Sequence, residues 1–250
     1  MKIIRFTALA LVLSAFASQA SASIVVASND FQSTSTPGWN FAKGTSKYVA
    51  DPKDASNKVL QFTDNSATAV THGFESHDSD LMVSFDFSYS GVMSVNTFMG
   101  VSFGGLMSSP SIGIKSDCDD NGGKCKNDVF VRMGETGTVM MLNSDLAADT
   151  NYTIFGRLYK DNGSATYNRF DAWLNPSTND LLTLTGADAS ATGKTSITSV
   201  NTLGVRTANI DTKSTLRIDN LEVSEVPEPG SLSLIGLALA GFAFSRRKRA

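Results

Sequence analysis

Leu81-Met82-Val83-Ser84-Phe85-Asp86-Phe87-Ser88-Tyr89 is the stretch whose reading decides the fold class. In an extended chain successive side chains point to opposite faces, so Leu81, Val83, Phe85, Phe87 and Tyr89 share one face while Ser84, Asp86 and Ser88 share the other. Met82 alone breaks the alternation. The pattern predicts a strand with one face in a core. Residues 59–63, 97–103, 111–115, 128–133, 151–160, 167–174, 202–207 and 215–223 read as further strands, set between Gly, Ser, Thr, Asn and Asp turns, and no amphipathic helix is predicted. Regularly spaced short strands predict an all-β protein, a sandwich or a barrel. In the last strand Leu216 and Ile218 keep a phase that Leu221 and Val223 leave, and a bulge at Asp219-Asn220 would restore inward pointing.

The two ends of the chain differ from this middle. Lys2 and Arg5 precede an apolar run over residues 6–17, and Ala20-Ser21-Ala22 is a small-x-small cleavage site, which together predict a signal peptide over residues 1–22. At the other end Val226-Pro227-Glu228-Pro229-Gly230 leads into an apolar run over residues 232–244 and then Arg246-Arg247-Lys248-Arg249. As a helix that run would be roughly 20 Å long, shorter than a hydrocarbon core of about 30 Å. It is apolar all round, and four consecutive cations cannot follow it into a protein core. A short transmembrane helix fits better, with the cations snorkelling to cytoplasmic headgroups and the preceding residues outside.

With both ends set aside, 15 Lys and Arg face 23 Asp and Glu, a net charge near −8. Such a domain lacks the basic balance that nucleic acid or an anionic membrane surface requires. Aromatic and β-branched residues recur through it, so it has the material of a core.

The tail, with its Pro-Glu-Pro turn, apolar helix and basic end, resembles the tripartite sorting signal of PEP-CTERM proteins, the exported substrates of exosortases in Gram-negative bacteria. The resemblance implies export through the Sec translocon, removal of residues 1–22 by signal peptidase and transient anchoring in the inner membrane. It also implies recognition at Val226, Pro227, Glu228 and Pro229 by the exosortase, with Arg246, Arg247, Lys248 and Arg249 as the basic anchor. Family members are commonly associated with exopolysaccharide and biofilm matrix. In the middle, Tyr152-Thr-Ile-Phe-Gly-Arg-Leu-Tyr159, Arg169-Phe-Asp-Ala-Trp-Leu-Asn-Pro176 and Leu216-Arg-Ile-Asp-Asn-Leu-Glu-Val223 resemble the closing strands of concanavalin A-like, or laminin-G-like, jelly rolls. Asp30-Phe31, Gly38-Trp39 and Lys58-Val-Leu-Gln-Phe62 echo their opening strands. An immunoglobulin-like sandwich is the structural competitor.

The domains expected are therefore the signal peptide (1–22), one jelly-roll sandwich (23–225) and the sorting signal (226–250). Catalytic residues are not expected. Glycoside hydrolysis needs two carboxylates held roughly 5 to 10 Å apart, and no strand carries such a pair; Asp86 and Asp171 read as lone acids. His72 and His77 are the only histidines, and no Gly-x-Ser-x-Gly is present. His72, Glu75, His77 and Asp78 read as a solvated loop. Trp39 and Trp173 read as packing residues rather than sugar platforms. Asp161-Asn162-Gly163 reads as a hairpin turn, and residues 175–199, rich in Ser, Thr, Asp and Gly, as a loop.

Asp117-Cys118-Asp119-Asp120-Asn121-Gly122-Gly123-Lys124-Cys125-Lys126-Asn127-Asp128 carries two readings that are not exclusive. As a hairpin tip it brings Cys118 and Cys125 within reach of a disulfide, the default for two cysteines in an exported protein. As an EF-hand-like calcium loop it offers Asp117, Asp119 and Asn121 at positions 1, 3 and 5 and Asp128 at position 12. Calcium is thus the one cofactor the sequence suggests. The reading as a whole is an exported, non-enzymatic cell-envelope or matrix protein with polysaccharide as partner. The alternatives are a calcium-dependent glycan-binding module and a secreted carbohydrate-active enzyme.

Overall fold

The computed structural model describes residues 23–33, 36–41, 46–64, 66–105, 110–117, 126–134, 140–141, 144–161 and 163–226. The signal peptide, the apolar tail with Pro227, Glu228, Pro229, Arg246, Arg247, Lys248 and Arg249, and Cys118, Asp119, Asn121 and Cys125 all lie outside these residues. Among the described residues no helix is long and apolar enough to cross a membrane.

Val25–Glu225 folds as one compact unit built from two antiparallel sheets. The first runs β13 (Ala189–Thr192), β12 (Arg169–Leu174), β11 (Tyr152–Tyr159), β6 (Leu81–Gly91), β15 (Ser214–Glu225), β4 (Lys58–Phe62) and β3 (Ser46–Ala50), with β1 (Ile24–Asn29) also pairing to β15. The second runs β10 (Met140–Met141), β9 (Lys126–Arg132), β8 (Ser111–Asp117), β7 (Phe98–Phe103), β14 (Val200–Ala208), β5 (Ser66–His77) and β2 (Trp39–Phe41). The predicted all-β sandwich is the observed architecture.

Alternation produces the core. Leu81, Val83, Phe85, Phe87 and Tyr89 of β6 point between the sheets, none more than 3% exposed, and meet Met99, Val101 and Phe103 of β7. Phe103 and Phe170, from opposite sheets, stand edge to face at 5.9 Å. The sheets approach so closely at Gly156 that a Cβ there would lie 2.7 Å from Ile112 Cδ1. Met82, which breaks the pattern, is buried on the outer face of its sheet, across from Arg157.

The bulge expected in the last strand is present. Asp219 pairs with Asp86, yet the next pair is Glu222 with Ser84, so β15 carries one residue more than β6 over this interval. Asn220 takes a positive φ of 48°, which Asn tolerates better than most residues. The extra residue returns Leu221 and Val223 to the core.

Two expectations are corrected. His72, Glu75 and His77 lie on β5, not in a loop, and Asp78 follows directly. The polar composition of Thr71-His72-Gly73 hides a strand that is held by pairing to β14 and β2. Residues 175–199 contain α1 (Thr178–Thr183) and β13. The helix is too short to show a period, but Ser177 and Asp180 form a reciprocal capping box: Asp180 N donates to Ser177 Oγ at 3.2 Å, and Ser177 N to Asp180 Oδ2 at 2.8 Å. As expected, β11 and β12 form an antiparallel hairpin; within its connection 160–168 Ser164 N donates to Asp161 O at 3.2 Å and Gly163 takes a positive φ of 72°.

Candidate functional site

β6 and β15 are neighbours near the middle of the first sheet, and their outer faces carry polar side chains where their inner faces carry the core. Asp86 and Asp219 are register partners on that outer face. The bulge then sets Asn220 beside them. Asn220 Nδ2 donates to Asp86 Oδ2 at 2.8 Å, and Asn220 N donates to Asp219 Oδ1 at 2.8 Å. Thr153 of β11 donates from Oγ1 to Asp86 Oδ1 at 2.5 Å, and Asn57, from the turn before β4, donates from Nδ2 to Asp219 Oδ2 at 2.8 Å. Each of the four carboxyl oxygens therefore accepts from a protein donor.

These residues line a recess of about 260 Å³ whose walls also include Asp51, Ser88, Asn151, Tyr152 and Arg217. Arg217 donates from Nη1 to Ser90 Oγ at 2.5 Å. Asp219 is 6% exposed, and burial away from water raises its carboxyl above the usual range. The charges of Asp86 and Asp51 push the same way, while the bonds from Asn57 and from Asn220 N oppose the shift. Burial likewise lowers the Arg217 guanidinium. A recess so furnished presents hydrogen-bond donors and acceptors of both charge signs, which suits a polyhydroxylated ligand.

The two acids singled out in the sequence are thus not alone. Asp86 acquires Asp219 across the sheet, a pairing that no single strand could reveal. Asp171 accepts from Tyr159 Oη at 2.8 Å and from Ser190 Oγ, and Arg169 Nε lies 3.8 Å away. Burial, and then the bond to Asp171, push the Tyr159 hydroxyl up to about 12. Trp39 stacks on His72 at 4.5 Å and is 8% exposed; Trp173 is 1% exposed and donates from Nε1 to Thr185 O at 3.1 Å. Both tryptophans are packing residues. His77 Nδ1 lies 2.6 Å from Glu225 Oε2.

Of the calcium set, Asp128 is buried and accepts at Oδ1 from Asp145 N at 2.7 Å and Ser144 Oγ at 3.2 Å. Asp117 is the last register partner of β8, opposite Lys126. Among the described residues no group of three or more His, Cys, Asp or Glu is arranged to hold a metal ion. Asn57 and Thr153 escaped the sequence reading, and Asn220 entered it only as part of the bulge; the phase break after Ile218 was the one signal that pointed at this place.

Residues 225–248 match the PEP-CTERM protein-sorting motif, so the chain carries this sorting tail. The motif implies export, membrane-associated sorting in Gram-negative bacteria and exosortase processing. No curated protein matches the chain. Among solved structures, the chain is similar to the CBM2 module of the evolved Dit of Lactobacillus casei BL23 phage J-1, at 9% identity and a TM-score of 0.50, covering 82% of this chain and 96% of that one. It is also similar to the Emp47p carbohydrate recognition domain, at 8% identity and a TM-score of 0.45, covering 84% and 100%. A third likeness is the receptor binding domain of botulinum neurotoxin type G, at 13% identity and a TM-score of 0.44, covering 76% of this chain and 43% of that one. The chain thus spans less than half of the neurotoxin domain it matches. At such identities the likeness is one of fold, a jelly-roll sandwich.

Proposed function

We propose that this chain, tagged for sorting by its PEP-CTERM tail, is a non-catalytic envelope or matrix protein whose sandwich engages polysaccharide through the recess at the β15 bulge. The observation that carries this reading is the state of the carboxylates in that recess: Asp86 and Asp219 each have both oxygens occupied by donors from Thr153, Asn220 and Asn57. Acids so engaged are fixed acceptors, which order a binding surface, and are poorly placed to pass a proton to a leaving group. The fold is one that the phage CBM2 module shares, and it would accommodate binding without chemistry.

The test is a glycan array probed with the full chain, with and without chelator, alongside Asn57→Ala and Asn220→Ala. Binding that is lost in these variants while their thermal midpoints stay near the parent's supports the reading. Binding lost with chelator alone would move the site to the loop of Asp117, Asp119, Asn121 and Asp128.

One observation favours a second reading, a carbohydrate-active enzyme. Asp219, with its carboxyl raised by burial, faces Asp86 across the sheet, the kind of split pair on which glycosidases depend. Turnover of laminarin-type polysaccharides, abolished in Asp219→Asn, would establish the enzyme and sink the non-catalytic reading.

A further inference from the structure

The outer face of the second sheet carries a different surface. β7, β8, β9 and β14 lie side by side, and register places Asp128, Lys115, Phe98 and Ala208 in one row across them. Phe130, Gly113, Gly100 and Arg206 form the next row, and Arg132, Ser111, Ser102 and Gly204 the third. Phe98 and Phe130 lie over the floor at Gly100, where a Cβ would come 2.9 Å from both rings. Their ring centroids are 4.9 Å apart. Glycine is therefore what lets two aromatic rings lie down on the sheet.

The rings are 7% and 1% exposed, so they are not themselves a platform for a ligand. What they support is charge. The Arg132 and Arg206 guanidinium carbons each sit 5.6 Å from the centre of the Phe98 ring, so they can be no farther apart than twice that distance. Arg132 is further steered by donating from Nε to Ser111 Oγ at 2.7 Å. Lys115 is the cross-strand partner of Phe98. Lys115, Arg132 and Arg206, with Asn96 and Asn209, line a recess of about 180 Å³.

Three cations gathered on a domain of net charge near −8 call for an explanation. The acid of the same face, Asp128, is the register partner of Lys115 but accepts at Oδ1 from Asp145 N and Ser144 Oγ and makes no ion pair with that lysine. Among the described residues neither Lys115 nor Arg206 takes part in an ion pair. Like charges that line one recess repel one another, and an anion seated there offsets that repulsion while accepting from the guanidinium forks. The recess is too small for a chain and large enough for the acidic end of one sugar unit. The surrounding negative domain disfavours a dense polyanion such as duplex DNA, whereas a polymer with a single carboxylate per sugar meets it with far less repulsion.

From this arrangement we infer that the Lys115, Arg132 and Arg206 recess takes the carboxylate of a uronic-acid polysaccharide. The inference deepens the polysaccharide reading given above and rests on it, but uses the opposite sheet.

The test is titration of the full chain, in detergent, with polygalacturonate, neutral dextran and duplex DNA, at two salt concentrations. Wild type is expected to bind polygalacturonate more tightly than dextran or DNA, with affinity falling as salt rises. The Lys115→Gln/Arg206→Gln double variant is expected to lose about tenfold or more, the equivalent of one charge-assisted contact of about 1.4 kcal/mol. Arg206→Lys, which keeps the charge and removes the fork, should fall in between. Equal polygalacturonate binding by the double variant and wild type would overturn the inference, and so would DNA binding as tight as polygalacturonate. Wild type that binds dextran, in a manner lost in Asn57→Ala, but ignores polygalacturonate sinks this inference and leaves the glycan reading standing. No binding to either glycan sinks both.

Discussion

Asp219 faces Asp86 at the last register pair before β15 gains its extra residue, and both carboxylates are held by that residue's neighbour in the bulge, Asn220. The device that keeps Leu221 and Val223 in the core is also the one that furnishes the outer recess. A fold requirement and a candidate binding surface therefore share one backbone irregularity.

A pH dependence follows from Asp219. Its carboxyl is raised in the folded protein, so ionising it costs stability. The cost is absent below the unfolded pKa of about 3.9, grows as pH rises toward the raised folded value, and is constant above it. Asp219→Asn removes the charge but keeps one acceptor where the carboxylate has two, so either Asn57 Nδ2 or Asn220 N loses its partner at every pH. The charge is therefore read from the pH dependence: the variant's thermal midpoint relative to the parent's should rise between pH values below about 4 and pH 7. A gap that is constant across this range would show that the charge is not the cause.

Close packing of backbone on backbone makes Gly113 irreplaceable. A Cβ there would lie 2.0 Å from Met99 O and 2.6 Å from Gly100 Cα. Gly113→Ala should cost at least about 3 kcal/mol, read as a drop in the denaturation midpoint or as loss of folded protein. Gly163→Ala is the contrast: its φ is 72° but a Cβ meets nothing within 4 Å, so backbone strain of about 1 kcal/mol is the whole expected effect.

The last described pair of the β8–β9 ladder is Asp117 and Lys126, and the residues that follow and precede them in sequence are Cys118 and Cys125. Positions across an antiparallel pair are about 4.5 to 5.5 Å apart at Cα, inside the range a disulfide spans. Intact mass of the exported protein should be lower by two hydrogens than the reduced chain, and no free thiol should react under denaturing conditions. Labelling of both cysteines would refute the bond.

The last strand of the sandwich ends at Glu225, the first residue of the matched sorting motif. Glu225, the last residue of β15, accepts from Ser79 Oγ, and its carboxylate meets His77. Removing residues 227–250 should leave the denaturation midpoint unchanged and release the domain from the membrane fraction; aggregation of the truncated chain would show the tail to be part of the core. Replacing Arg246, Arg247, Lys248 and Arg249 by Ser should weaken membrane retention before processing, visible by fractionation.

Sequence alone determined the all-β class, most of the strands, the bulge and the sorting tail, because each is written in local order: alternation, a broken phase, a run of apolar residues before a basic end. It did not place β1, β3, β5, β10 or β13, of which β5 and β13 carry polar residues that become strand only by pairing with β14 and β12, and it missed α1, which is too short to display a helical period. Tertiary structure decided both recesses. Asp86 meets Asp219 over 133 positions of chain and Asn57 meets Asp219 over 162, while Arg132 of β9 and Arg206 of β14 lie over the Phe98 ring and Lys115 of β8 is its register partner. Charges that distant are brought together by sheet register, which the hydrophobic core sets and no local pattern records.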